Sequence, residues 1–282
     1  MSQPEILETL ASLRARVRAW RAAGETVALV PTMGALHAGH ISLVQLAKSR
    51  ASRVLVSIFV NPTHFAPNED FSKYPRTFDA DKEKLAQAAA DAIYAPQPAE
   101  MYPPGFSTTV SLTGPAAAGL EDRFRPTHFA GVATVVSKLH IQAMPDIAIY
   151  GEKDFQQLAV IRQMTRDLDL PIEVLGGETI READGLALSS RNVYLDAAQR
   201  EAAPLLNATM HESAARIRAG EASEIVMAEG RAKIAAAGFA LDYLELRDAI
   251  SLGAPDIALD KPLRMLVAAK IGVTRLIDNI AV

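Results

Sequence analysis

The chain has 282 residues, 49% of them hydrophobic and 22% charged, with a formal net charge of −4 and no cysteine. That length supports one large domain or two modest ones with real cores. The missing cysteine excludes disulfides, thiolate metal sites and thiol nucleophiles, and the mildly acidic balance argues against a general nucleic-acid binder. No apolar run approaches the ~18 residues that suggest a membrane span. Met1-Ser2-Gln3-Pro4-Glu5 lacks the basic-then-apolar pattern of a signal peptide. A soluble, cytoplasmic protein is expected, with neither membrane nor nucleic acid as a partner.

In chain order, Ile6, Leu10, Leu13, Val17 and Trp20 form a helical stripe over residues 5–23, which Gly24 ends. Val27–Val30 reads as a buried strand, Ile41 to Arg50 as an amphipathic helix, and Val54–Val60 as a second strand. These three make a βαβ unit, whose crossover implies parallel strands. Further strands are expected at Ala92–Tyr94, Ile147–Tyr150 and Ile172–Leu175, with helices over 77–90, 131–143 and 154–168. Alternation of this kind predicts an α/β fold with a doubly wound parallel, Rossmann-like sheet. The character changes at Gly176-Gly177. Residues 197–237 are alanine-rich and helical, and strands follow at Leu241–Leu246, Leu263–Ala269 and Leu276–Ile277. The expected division is therefore a larger domain over 1–176 and a smaller α+β domain over 177–282 that caps the nucleotide site.

Chemistry concentrates just after strand ends, where ligands gather on such sheets. Pro31-Thr32-Met33-Gly34-Ala35-Leu36-His37-Ala38-Gly39-His40 links the first strand of the βαβ unit to its helix. Two imidazoles there, flanked by glycines at a helix start, suit a polyphosphate, because backbone N–H groups and the helix dipole favour anions. Helix capping is the plain alternative; a zinc pair would need further ligands. Asn61-Pro62-Thr63-His64-Phe65 sets an amide and an imidazole after the second strand, or simply starts a turn. Arg125-Pro126-Thr127-His128-Phe129-Ala130-Gly131-Val132 opens a helix and reads equally as a cap or as ligand contacts. Gly151-Glu152-Lys153-Asp154-Phe155-Gln156-Gln157 combines a strand end, a glycine and a mobile positive charge, the better reading being phosphate contact. Asp184 to Asn192, with Ser189, Ser190 and Arg191, is a possible phosphate clamp or a surface turn.

Together with Tyr74-Pro75-Arg76-Thr77, Asp242–Asp248 and Leu276–Asn279, these runs closely resemble the pantoate–β-alanine ligase (pantothenate synthetase) family of HIGH-type nucleotidyltransferases. The resemblance covers nearly the whole chain, in family order. It implies condensation of D-pantoate with β-alanine through a pantoyl adenylate, with ATP converted to AMP and pyrophosphate. It implies ATP contacts at Met33, Gly34, Ala35, Leu36, His37, Ala38, Gly39, His40, Gly151, Glu152, Lys153, Asp154, Ile180, Leu188, Ser189, Ser190 and Arg191. Of these, His40, His37, Lys153 and Arg191 are the expected catalytic residues. Gln157, Asn61 and His64 fall at the pantoate and β-alanine positions; the family typically has glutamine where this chain has His64, and methionine where it has Thr63. Magnesium would accompany ATP, with Asp81 as a neighbour, and a homodimer is implied. Another small-molecule adenylyltransferase of the same superfamily is the competing assignment.

Overall fold

A computed structural model describes residues 3–64, 75–256 and 261–282. It divides into two units, Met1–Glu152 with Val160–Glu178, and Lys153–Ala159 with Thr179–Val282. Tyr74 and Phe65, within two of the motif runs, lie outside the described residues, as does the side chain of His64.

In the first unit the chain runs β1 (Glu5–Leu7), α1 (Leu10–Ala22), β2 (Val27–Thr32), α2 (Ala38–Arg50), β3 (Arg53–Ile58), α3 (Phe78–Gln87) and β4 (Ala92–Tyr94). Short helices α4 (Pro98–Met101) and α5 (Glu121–Phe124) precede α6 (His128–Ala143) and β5 (Ile147–Gly151). Next come α7 (Phe155–Asp167), whose first residues group with the second unit, and β6 (Glu173–Gly177). The six strands form one sheet in the order β1-β4-β3-β2-β5-β6, every neighbouring pair parallel. This is the expected doubly wound architecture.

The N-terminal stripe is shorter than its periodicity predicts. Thr9 Oγ1 accepts the N–H of Ser12 at 3.1 Å and Ser12 Oγ accepts the N–H of Thr9 at 3.2 Å, a reciprocal cap that starts α1 at Leu10. Leu13, Val17 and Trp20 face the core, whereas Ile6 lies in the edge strand β1, paired with β4. A three-residue strand is too short for its alternation to be distinguished from the end of a helical stripe.

After β2 the chain moves outward to β3 and β4, then returns to β5 on the other side of β2. The carboxyl ends of β2 and β5 therefore flank the switch point of the sheet, the usual crevice for a ligand in this architecture. Val30, Val56, Ile149 and Leu36 share one core with Leu43, Val44 and Leu85 beneath this end.

In the second unit the alanine-rich segment forms three helices, α8 (Ala197–Ala202), α9 (Leu205–Arg218) and α10 (Ser223–Ala236). Strands β7 (Ala240–Asp248), β8 (Leu263–Ile271) and β9 (Thr274–Ala281) make an antiparallel sheet in that order. Leu206, Met210 and Ile234 of the helices pack with Leu244, Met265, Val267 and Ile280 of the sheet. β9 is much longer than the apolar pair Leu276–Ile277 suggests, because Asp278 and Asn279 continue the ladder with their side chains buried.

Candidate active site

The turn between β2 and α2 is built by its own side chains. His37 is the N-cap of α2, and its Nδ1 accepts the N–H of Gly39 at 3.2 Å. Three residues on, His40 Nδ1 accepts the N–H of His37 at 3.3 Å. The two imidazoles thus form a reciprocal capping box of the kind usually made by Ser or Thr with Glu or Gln, with ring centroids 4.1 Å apart. A backbone N–H can only donate, so each Nδ1 must be an acceptor. In the neutral ring the proton then sits on Nε2, which becomes a hydrogen-bond donor. The two readings of this pair, cap and phosphate ligand, use different nitrogens of the same rings and are compatible.

The expectation that free backbone N–H groups collect an anion here is corrected by the structure. Gly34 donates to Thr32 Oγ1 at 3.3 Å, Ala35 to Asp81 Oδ2 at 2.9 Å and Leu36 to Asp81 Oδ1 at 2.8 Å. The N–H groups of His40 and Ile41 bond to the carbonyl of His37. Leu36, expected among the ATP contacts, is buried at the top of the sheet core.

Asp81 is only 1% exposed, and its carboxylate also accepts the hydroxyl of Thr77 at 3.1 Å. One helical turn further along α3, Lys84 Nζ donates to the carbonyl of Leu36. The i, i+3 spacing places both charges on one face, so α3 grips donors and acceptor of the same turn. That grip holds an unusual backbone: Gly34 has φ +83° and Ala35 φ +51°. A Cβ on Gly34 would lie 3.2 Å from Asp81 Oδ2 and 3.3 Å from Ile58 Cγ2. Among the described residues, no group of three or more His, Asp or Glu side chains gathers as a metal cage. Asp81, expected beside magnesium, spends its oxygens on the turn.

After β3, Asn61 is buried, and its Oδ1 accepts the N–H of Thr63 at 3.3 Å and the hydroxyl of Tyr102 at 3.0 Å. Its Nδ2 donates to Thr63 Oγ1 at 2.8 Å. Burial raises the Tyr102 phenol above its ordinary pKa, against the opposing hydrogen bonds of Thr63 and Asn61, so Tyr102 stays a neutral donor. A Cβ on Gly131, near the start of α6, would come within 2.7 Å of the Thr63 carbonyl oxygen. The glycine of the Arg125–Val132 run thus lets this turn seat against α6. In the same run, Arg125 Nη1 lies 3.4 Å from His128 Nε2.

Gly151 closes β5 and Glu152 follows it in the first unit, while Lys153, Asp154 and Gln157 belong to the second. Lys153 Nζ is 3.8 Å from Asp154 Oδ2, a loose ion pair. The carbonyl of Lys153 accepts Nδ2 of Asn279 at 2.8 Å. Also in the second unit, Ile180 and Leu188 face each other in a tight loop, the Leu188 N–H bonding the Ile180 carbonyl at 2.9 Å. Arg181 anchors this loop through a two-pronged pair with buried Asp278, at 2.6 and 2.9 Å. Ser189 Oγ accepts the N–H of Arg191 at 3.2 Å and caps the short helical turn Ser190–Tyr194, leaving Arg191 exposed.

Sequence reasoning singled out the imidazole pair, Lys153 and the serine-arginine loop. It did not single out Lys84, Tyr102 or Arg181 as supports, and it included Asp278 and Asn279 only as part of a motif run. The spacing of Asp81 and Lys84 on one helix face was the only available signal for α3; Tyr102 gives none.

The family model described as pantoate-beta-alanine ligase matches residues 5–281 of this chain. Pantothenate synthetase 2 of Bradyrhizobium diazoefficiens is 60% identical over 279 residues, 99% of each chain. Pantothenate synthetase of Rhodopseudomonas palustris strain HaA2 is 57% identical over the same share of each. Among solved structures, pantothenate synthetase from Thermus thermophilus superimposes with a TM-score of 0.91 at 41% identity, covering 98% of both chains. A pantoate-beta-alanine ligase from Francisella tularensis, complexed with beta-gamma ATP and beta-alanine, matches with a TM-score of 0.79 at 31% identity, covering 98% of this chain and 97% of that one.

Proposed function

This chain belongs to the pantoate–β-alanine ligase family, and from that premise we propose that it is an AMP-forming ligase joining D-pantoate to β-alanine. The pantoate carboxylate attacks the α-phosphorus of ATP, and the bond to the bridging oxygen breaks as pyrophosphate leaves. The amine of β-alanine then attacks the acyl carbon of the adenylate; AMP departs and the amine loses a proton as the amide forms. Neither step needs a protein nucleophile, in keeping with a chain without cysteine. Catalysis rests on positioning and on charge stabilisation.

The observation that carries this reading is the reciprocal cap of His37 and His40. It sets both rings as Nε2–H donors on a turn where the N–H groups of Gly34, Ala35 and Leu36 are already bound. Donors held in place before the reaction need no reorganisation as negative charge builds on phosphoryl oxygens. His40 and His37 serve the phosphates through their rings, the N–H groups of Gly34 to His37 and of Gly39 being held within the turn. On family resemblance, Lys153, Asp154 and the Ile180–Arg191 segment serve the nucleotide. Arg191 supplies a planar fork that lysine would not reproduce. Gln157 and His64 hold the acid and amine substrates, and Asn61 shapes that pocket through Thr63 and Tyr102.

Magnesium brought by ATP would supply charge neutralisation and would keep few protein ligands. The described residues do not build a separate cage for it, and Asp81 is assigned to the turn instead. The protein is read as a cytoplasmic homodimer on family precedent; no helix among the described residues is long and apolar enough to cross a membrane.

The test is ATP–pyrophosphate exchange with purified protein and magnesium. Exchange that requires D-pantoate but not β-alanine supports a pantoyl adenylate. Exchange with no dependence on pantoate would transfer the assignment to another adenylyltransferase of the superfamily.

A further inference from the structure

Asn279 sits on β9, the last strand of the small sheet, 126 positions from Lys153, and is 2% exposed. Its side chain is bonded at both ends of the amide. Nδ2 donates to the Lys153 carbonyl at 2.8 Å, while Oδ1 accepts Nε of Arg264 at 2.7 Å. The Arg264 guanidinium in turn lies over the Phe155 ring, 4.2 Å from its centroid. One amide therefore holds the turn at Lys153 and, through Arg264, the first residue of α7 just beyond it. The strand itself is held firmly: neighbouring Asp278 takes the Arg181 pair, a bond from Asn207 at 3.2 Å and the N–H of Asn279 at 2.7 Å.

We propose that Asn279 is a positioning residue for Lys153, which sets where the ammonium meets the nucleotide by fixing the backbone that carries it. The inference rests on the adenylation role given to Lys153 above. The asparagine amide offers a donor and an acceptor on one short rigid plane, and both are used here. Glutamine would push that plane out by one methylene. The Lys153 turn directly follows β5 of the first unit yet groups with the second, in which Asn279 bonds its carbonyl.

The informative variant is Asn279→Asp, which keeps the shape and the acceptor for Arg264 but replaces the donor to Lys153 with a carboxylate oxygen. In pantoate-dependent ATP–pyrophosphate exchange it should lower kcat by about tenfold or more, as expected when a charged group is slightly misplaced, with KM for ATP little changed. The same substitution in a Lys153→Ala background should cost nothing further, because there is no ammonium left to place. Equal losses in both backgrounds, or no loss in either, would overturn the proposal. If Asn279→Asp melts too low to assay, Arg264→Lys, which keeps charge but loses the planar stack, takes its place in the same cycle with the same expected pattern. Hydrogen–deuterium exchange of the 152–158 peptide in the ligand-free protein gives a readout independent of activity. It should quicken in Asn279→Asp, and an unchanged rate overturns the proposal even if kcat falls. A wild type with no pantoate-dependent exchange would refute the functional reading itself, a result distinct from either.

Discussion

Asp81 and Leu36 stand 45 positions apart in sequence and are joined by a 2.8 Å hydrogen bond from the Leu36 N–H to Oδ1 of the buried carboxylate. The other oxygen takes the N–H of Ala35 at 2.9 Å. A carboxylate accepting two successive backbone donors locks the left-handed residues Gly34 and Ala35, and it does so immediately before the imidazole pair. The geometry of His37 and His40 is thus inherited from α3.

Asp81→Asn should therefore act on the turn. The amide must point its NH2 at one of the two N–H groups, losing a charged hydrogen bond of about 1.5–3 kcal/mol. A lower melting temperature and a lower kcat are expected, with the magnesium concentration for half-maximal activity unchanged. A large shift in that concentration would return Asp81 to the metal.

On the role proposed for its Nε2–H, His40→Ala should reduce kcat for adenylate formation far more than it weakens ATP binding. A loss of about 2.7–4 kcal/mol is typical for one such donor, and Lys153→Ala should fall in a similar range. Single-turnover pyrophosphate release is the measurement; an undiminished rate removes the residue from the catalytic set.

His64 stands where the family typically has glutamine. Neutral imidazole offers one donor and one acceptor, as the amide does, so His64→Gln should preserve or improve pantoate affinity. It should also remove any pH dependence of KM for pantoate near the imidazole range. A large loss of kcat/KM would mean that His64 has a role of its own.

Gly131→Ala would place a methyl 2.7 Å from the carbonyl oxygen of Thr63 and 2.8 Å from its hydroxyl. Backbone cannot yield as a flexible side chain does, so about 1–3 kcal/mol of overpacking is expected. The displaced Asn61–His64 turn should raise KM for pantoate more than KM for ATP. Equal effects on both would detach this turn from the acid substrate.

Stability should fall with acid in a window set by His140. Burial holds its imidazole at about 4, below the ordinary 6.5, in contact with the Tyr150 hydroxyl at 2.8 Å. Between those values the unfolded chain binds more protons than the folded one. Stability is therefore intact above the unfolded value and is lost as pH falls through it, by at most about 1.4 kcal/mol per pH unit. Denaturant unfolding across this range should show a shallower slope for His140→Gln; identical slopes would exclude His140 as the cause.

The layer order of this protein is already written in its chain. Short apolar runs such as Val27–Val30 can only be buried strands when helical stripes separate them, and a parallel sheet follows from the crossovers. Residues with unusual chemistry after strand ends, His37, His40 and Lys153, were visible because glycines, imidazoles and cations cluster where the apolar pattern breaks, and Arg191 because it follows two serines in a polar loop. Even the His-x-x-His spacing held its second meaning, since i, i+3 is the spacing of a capping box.

Long-range satisfaction of polar groups was decided only by the tertiary structure. A buried N–H must find an acceptor, but nothing in Gly34-Ala35-Leu36 says that Asp81 will provide it. Nor does Lys153 announce that Asn279 will hold its carbonyl. Such partners are chosen by which surfaces the packed core brings together, and a single buried carboxylate or amide has no periodicity to betray it. Sequence by itself determined where the reactive groups stand along the chain. The fold determined which of their atoms structure takes up: at the imidazole turn each Nδ1 accepts a backbone N–H, while Thr32 and Asp81 hold those of Gly34, Ala35 and Leu36.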